Sequence, residues 1–334
     1  MPPAVHLDFR QDVLVEVTHR LLPAVLPLYA PVRPPVFRVH HRILVTLLGI
    51  GLLIQGCSSS SGLKRPASGG HEPVASRFGT LSPAQQALVD ASCYDGLPVG
   101  RRERVGSTEL VIRRGYVLEH SSVDKIPLWV CESVSADQLR GHLARSNRFN
   151  ADPDLQGPKA YPKDYIGSGY DRGHQAPAGN QTVDPELKDQ TFYMSNMAPQ
   201  RPSLNRGIWE VLEDKTRAWV FRYGHAYEWT GPIRCDPELP RPPDAKVDCQ
   251  RQTIGEHEVA VPLYFYKIIL VQDQSTWKAI AFILPNTDFK QPYDLKSYIA
   301  SIERIEALTG IEFMPRMSVS DRRELMSEAS AMWP

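Results

Sequence analysis

The 334-residue sequence has no excess of charge of either sign: 38 Lys and Arg stand against 38 Asp and Glu. A chain that coats polyanions with its whole surface carries a positive balance, so any phosphate-binding surface here has to be local. A membrane-spanning run is also lacking. The apolar stretch Ile43–Ile54 covers 12 residues, where a spanning helix needs roughly 20. Cysteine is scarce, five in all, and its spacing lacks the close Cys or His pairs of a zinc site. Proline, by contrast, is plentiful, with 29 residues concentrated before residue 36 and between Pro232 and Pro243. These clusters mark irregular segments. Hydrophobic residues at 42% and charged residues at 23% leave enough apolar surface to bury a core.

The stretch Ile43–Ile54 follows Arg38, His40, His41 and Arg42 and runs into Gln55-Gly56-Cys57 and then Ser58–Ser61. A short apolar run behind a basic cluster reads as the hydrophobic region of an export signal. Its end resembles a bacterial lipobox, in which the Cys becomes the lipidated first residue. The expectation is therefore an exported protein, tethered to a membrane surface through Cys57 and facing periplasm or exterior, with residues 58–85 as linker. A cleaved ordinary signal is the alternative. A core strand is a further one, which the Ser/Gly run disfavours. Residues 1–37 precede this signal and suit a start assigned too early. Four cysteines remain: Cys93, Cys131, Cys235 and Cys249. An even number in an exported chain suggests two disulfides. Of three pairings, Cys235–Cys249 with Cys93–Cys131 is preferred.

The folded domain is expected over residues 86–334. Strands are read at 109–118 and 127–134, with Ser122–Lys125 as the turn between them. An Asn-, Asp-, Pro- and Gly-rich loop follows at 145–170, and 191–194 looks strand-like. Helical periodicity covers 205–217 through Ile208, Trp209 and Leu212. Residues 218–230, 258–271 and 277–284 read as strands, and 302–309 as a helix ended by Gly310. Residues beyond Met317 show no clear role. Strands and helices mix without regular βαβ alternation, which gives the α+β class.

The chemistry centres on Asp171-Arg172-Gly173-His174. Arg offers a planar fork of donors to phosphate oxygens, and a His near its ordinary pKa can take a proton from water. Gly173 would let the backbone pass close to phosphate. Arg-Gly-His alone is a weak signal, since a lone His is more often structural. Two further pieces join it: Ser195-Asn196-Met197-Ala198-Pro199-Gln200 and Leu204-Asn205-Arg206-Gly207-Ile208-Trp209-Glu210-Val211-Leu212-Glu213. Glu213 falls two turns after Asn205 and leans back toward it. An amide oxygen and a carboxylate are hard ligands suited to Mg²⁺. Each has a plainer reading, Asn205 as a helix N-cap and Glu213 on a solvated face. Trp209 reads as core before base-stacking platform.

Together these motifs resemble the DNA/RNA non-specific endonuclease family, which includes secreted bacterial nucleases and mitochondrial endonuclease G. The similarity runs in order through Thr230–Ile233, Val261–Lys267, Phe282–Asn286 and Thr309–Phe313, over roughly residues 100–315. The resemblance implies a ββα-metal fold and sequence-nonspecific cleavage of DNA, RNA or both to 5′-phosphate ends. It implies His174 as general base, Asn205 as direct ligand of Mg²⁺ (Mn²⁺ as an alternative), and Glu213 as a ligand through water. Asn196 joins the same network, and Arg172 contacts phosphate. A second phosphate-binding Arg is expected upstream, with Arg148 preferred over Arg145. Two other outcomes stay open: a noncatalytic nucleic-acid or cell-surface module of the same fold, and a phosphodiesterase on another substrate.

Overall fold

The computed structural model describes residues 78–100, 108–234, 251–327 and 329–334. The export signal, Cys57, most of the expected linker and the Cys235–Cys249 pairing lie outside the described residues. Every described residue falls within one compact unit, Ser68–Pro334.

The first helix, α1 (Pro83–Ser92), starts inside the stretch expected to be linker. Ser82 and Gln85 form a reciprocal capping box there, and Pro83 sits in the first turn. Residues 109–118 form two strands, not one. The chain turns back between β1 (Thr108–Ile112) and β2 (Val117–Ser121), closed by the Arg113 amide donating to the Tyr116 carbonyl at 3.0 Å. Gly115 supplies the local turn signal that the apolar run on either side concealed. The turn expected at 122–125 does join β2 to β3 (Ile126–Ser135).

A separate two-stranded sheet is formed by β4 (Asp171–His174) and β5 (Met197–Gln200), paired antiparallel with His174 opposite Met197 and Asp171 opposite Gln200. Between them lies the short helix α2 (Pro185–Gln190). The expected strand at 191–194 is instead a turn: the Thr191 hydroxyl donates to the Lys188 carbonyl, so the local side chain ends α2.

Helix α3 (Trp209–Tyr223) extends six residues into the segment expected to be a strand. Trp219 and Val220 continue the buried stripe of Trp209, Leu212 and Thr216, so burial keeps the helix going. Gly224, at φ 85°, ends it, and β6 (His225–Ile233) follows. Pro262 separates β7 (Tyr264–Asp273) from the short strand Val259–Ala260, so 258–271 is not one strand. Next come β8 (Thr276–Pro285) and β9 (Ile299–Ala300). The last helices are α4 (Ile302–Thr309), capped by Ser301 and ended by a left-handed Gly310 as expected, and α5 (Val319–Met326).

The main sheet has seven antiparallel strands in the order β9-β8-β7-β6-β3-β2-β1. Both faces are covered, which is why the central β7 reads as a continuous apolar run. Phe265, Ile269 and Val271 face the cluster that holds Trp209, Leu212 and Trp219 of α3. Tyr266, Ile268 and Leu270 face the opposite cluster with Val89 of α1 and Ile305 of α4. Cys93, at the end of α1, is bonded to Cys131 of β3. The terminal segment also packs: Met326 enters the second cluster, and Trp333 meets Trp219 edge-on at 5.1 Å. Among the described residues no helix is long and apolar enough to cross a membrane.

Candidate active site

Four pieces of chain converge on a cleft of about 370 Å³: the start of α3, the end of β4, the turn Ala178–Asn180, and the loop carrying Arg145. Its lining includes Arg145, His174, Asn205, Glu213 and Arg217.

His174 ends β4, and its strand alternation with Arg172 puts both on one face. The Phe149 ring serves both: it lies 5.8 Å from the imidazole and 5.0 Å from the Arg172 guanidinium. Phe192 meets His174 edge-on at 5.0 Å. This apolar collar strips water from the ring. Burial first, and the Arg145 charge second, push His174 down to about 3, so the imidazole is neutral at pH 7. Among the described residues its buried Nε2 has no hydrogen-bond partner.

Gly173 is required by packing. A Cβ there would lie 2.2 Å from Oε1 of Gln200, the residue that ends β5 and is wholly buried. Asn196 sits at the turn into β5. Its side-chain amide donates to the Ala176 and Thr191 carbonyls, each at 2.9 Å, and its Oδ1 accepts from the Ala176 amide at 2.9 Å. It is absent from the cleft lining; it clasps the backbone that follows His174.

Asn205 is not the first residue of a regular helix. It lies in a wide turn, Leu204–Ile208, that leads into α3 and bends at Gly207 (φ −127°, ψ −113°). A Cβ on Gly207 would come within 2.5 Å of the Tyr293 hydroxyl. The Asn205 amide nitrogen donates to Oδ2 of Asp171 at 2.9 Å. The same carboxylate takes two hydrogen bonds from Arg206, at 2.7 and 2.5 Å. With its nitrogen held, the Asn205 oxygen is left to act as a ligand.

Glu213 faces the same cleft from α3. Burial raises its carboxyl to about 7, although Lys267 and Arg217 pull it down. Arg217, one turn further on, lies 3.9 Å from it. The donor set fits a hard divalent cation: an amide oxygen, a half-buried carboxylate and no sulfur. Among the described residues no group of three His, Cys, Asp or Glu could hold a metal, so an ion here would rely on waters for much of its shell.

The expected arginines part company. Arg145 lines the cleft. Arg148, the preferred choice, is tied to Asp189 in an exposed ion pair and does not line it. Arg172 donates to the Pro162 carbonyl at 2.7 Å and lies behind Phe149, beside the cleft rather than in it. Sequence reasoning missed Asp171, Arg217 and Gln200. Arg217 stands four residues after Glu213, a same-face helical spacing that could have revealed it.

A profile of the DNA/RNA non-specific endonuclease family matches residues 101–320. The chain belongs to that family. Its members include endonuclease G of Bos taurus mitochondria, 32% identical over 82% of this chain and 93% of that protein. Nuclease C1 of Cunninghamella echinulata is 34% identical, over 64% of this chain and 85% of that protein. A chain from the crystal structure of the EndoG/EndoGI complex superposes with a TM-score of 0.62 at 28% identity, covering 74% of this chain and 96% of that one. The ββα-metal arrangement of the family is present here as β4, β5 and the start of α3.

Proposed function

We propose that the protein is a divalent-cation-dependent, sequence-nonspecific endonuclease that works outside the cytoplasm. Membership in the nuclease family supports phosphodiester hydrolysis. The observation that carries the finer reading is the meeting of a desolvated His174 with Asn205 and Glu213 in one cleft.

His174 accepts a proton from a water molecule, which attacks phosphorus in line and expels the 3′ oxygen, leaving a 5′-phosphate. The bond formed is O–P and the bond broken is P–O3′, and the departing 3′ oxygen takes a proton from solvent to leave as a hydroxyl. Arg145 and Arg217 place positive charge beside the phosphate. Asn205 and Glu213 would hold the cation, Mg²⁺ by ligand type. When bound, it supplies Lewis-acid stabilisation of charge on the phosphate and the departing oxygen. Asp171 fixes the Asn205 amide, and Asn196 fixes the turn that carries His174. Phe149 packs beside the imidazole and orders Arg172. Contacts to phosphate rather than to base edges favour little sequence choice and strong salt dependence.

Export and a lipid on Cys57 rest on the basic and apolar segment before it and the Ser run after it. The Cys93–Cys131 bond agrees with an oxidising compartment.

The test incubates purified protein with supercoiled plasmid and with total RNA in millimolar Mg²⁺, beside EDTA and His174→Ala controls. Cleavage abolished by both controls is the expected outcome. A folded protein inert with several divalent cations would overturn the enzyme reading and favour a binding module.

A further inference from the structure

Beneath the cleft, on the α3 face of the sheet, lies a cluster of buried charge that the reaction does not use. Lys267 is fully buried. Its Nζ donates to Glu228 at 2.7 Å and to the Thr230 hydroxyl at 2.8 Å. Strand parity puts it there: Phe265, Lys267 and Ile269 alternate on the face toward α3. Glu228 stands directly opposite Glu132 across β6 and β3, two carboxylates at a position where like charges repel. The Asn180 amide nitrogen spans both, at 3.1 Å from Glu132 and 3.5 Å from Glu228.

This cluster is tied to the cleft by contact. Asn180 closes the turn whose Ala178 and Gly179 line the cleft wall. A Cβ on Gly179 would lie 2.9 Å from Nη1 of Arg217, so turn and helix touch there. Arg217 in turn lies 3.9 Å from Glu213 and donates to Asp214 at 2.5 Å. Stability alone does not call for such a cluster, since well-packed apolar residues often replace a buried ion pair without loss.

We propose that Lys267, Glu228, Glu132 and Asn180 form a positioning network for the cation site, a buried brace that sets the depth of the Ala178–Asn180 turn and, through Gly179 and Arg217, the placement of Glu213. The proposal rests on the nuclease reading above. Lys267 and Glu228 touch no substrate; they act through the turn and α3.

The test compares the full protein with Lys267→Met/Glu228→Gln, which removes both charges of the pair while keeping volume. Three quantities are read: circular dichroism, the Mn²⁺ dissociation constant by electron paramagnetic resonance, and kcat and KM on plasmid. The expected result is a folded variant with Mn²⁺ affinity weakened on the order of tenfold, as for outer-shell partners of metal ligands. kcat falls by a comparable factor, and KM stays near its original value. A folded variant with unchanged Mn²⁺ affinity and kcat overturns the brace alone. An original protein that neither binds Mn²⁺ nor cleaves overturns the nuclease reading and the brace with it. Should the double variant not fold, Asn180→Leu, which cuts the link but keeps the Lys267–Glu228 pair, carries the same expectations and the same refutation.

Discussion

The contact between Gly173 and Gln200 yields the sharpest prediction. A methyl group at Gly173 would lie 2.2, 2.4 and 2.5 Å from Oε1, Cδ and Cγ of Gln200. Three successive atoms are in the way, and the Gln200 side chain is wholly buried, so it cannot swing into solvent. Either β5 moves away from β4 or the methyl is strained. Overpacking of this kind costs about 1–3 kcal/mol. Because β4 carries His174 at its end, a displacement of about 1 Å would also lower turnover on the order of 100-fold. The assay is a double-mutant cycle of Gly173→Ala and Gln200→Ala, followed by urea unfolding and by plasmid cleavage. Gly173→Ala alone should lose both stability and turnover. Gln200→Ala should return about 1–2 kcal/mol of what Gly173→Ala lost, by emptying the space the methyl needs. Additive effects, or a Gly173→Ala protein as stable and active as the original, would refute the packing argument.

Three more predictions concern charge. Burial raises Glu213 to about 7 from 4.5, so in EDTA its contribution to stability is fully present below pH 4.5 and is lost as pH rises through 7. Glu213→Gln should therefore stabilise the cation-free protein at pH 8 by up to about 3 kcal/mol relative to pH 4.5, while abolishing Mg²⁺-dependent cleavage; thermal melts at both pH values check this. His120 is buried, and burial lowers it to about 4. Its neutral form stabilises the fold above pH 6.5 and that stability drains away as pH falls toward 4, so His120→Phe should flatten the acid limb of a urea-midpoint profile. Finally, Arg145→Ala should reduce the salt slope of nucleic-acid binding by about one, whereas Arg148→Ala should leave it nearly unchanged; fluorescence anisotropy at several salt concentrations separates the two.

Sequence alone determined the family, through three ordered motifs at Asp171–His174, Ser195–Gln200 and Leu204–Glu213. It also determined local features governed by neighbouring residues, such as the 302–309 helix with its Gly310 stop and the turn at Ser122–Lys125. It could not place features decided by distant contacts. Tyr223 is helical because the stripe ending at Trp219 and Val220 is buried against the sheet, an outcome no local propensity encodes. Arg145 rather than Arg148 reaches the cleft because Asp189, from another part of the chain, holds Arg148. Only the fold shows that Asn196 clasps the backbone at Ala176 and Thr191. Lys267 entered the sequence analysis only as the end of the Val261–Lys267 stretch. Only the pairing of β3, β6 and β7 brought it to two carboxylates, because register across strands is fixed by the packing of the whole sheet and leaves no trace in local spacing.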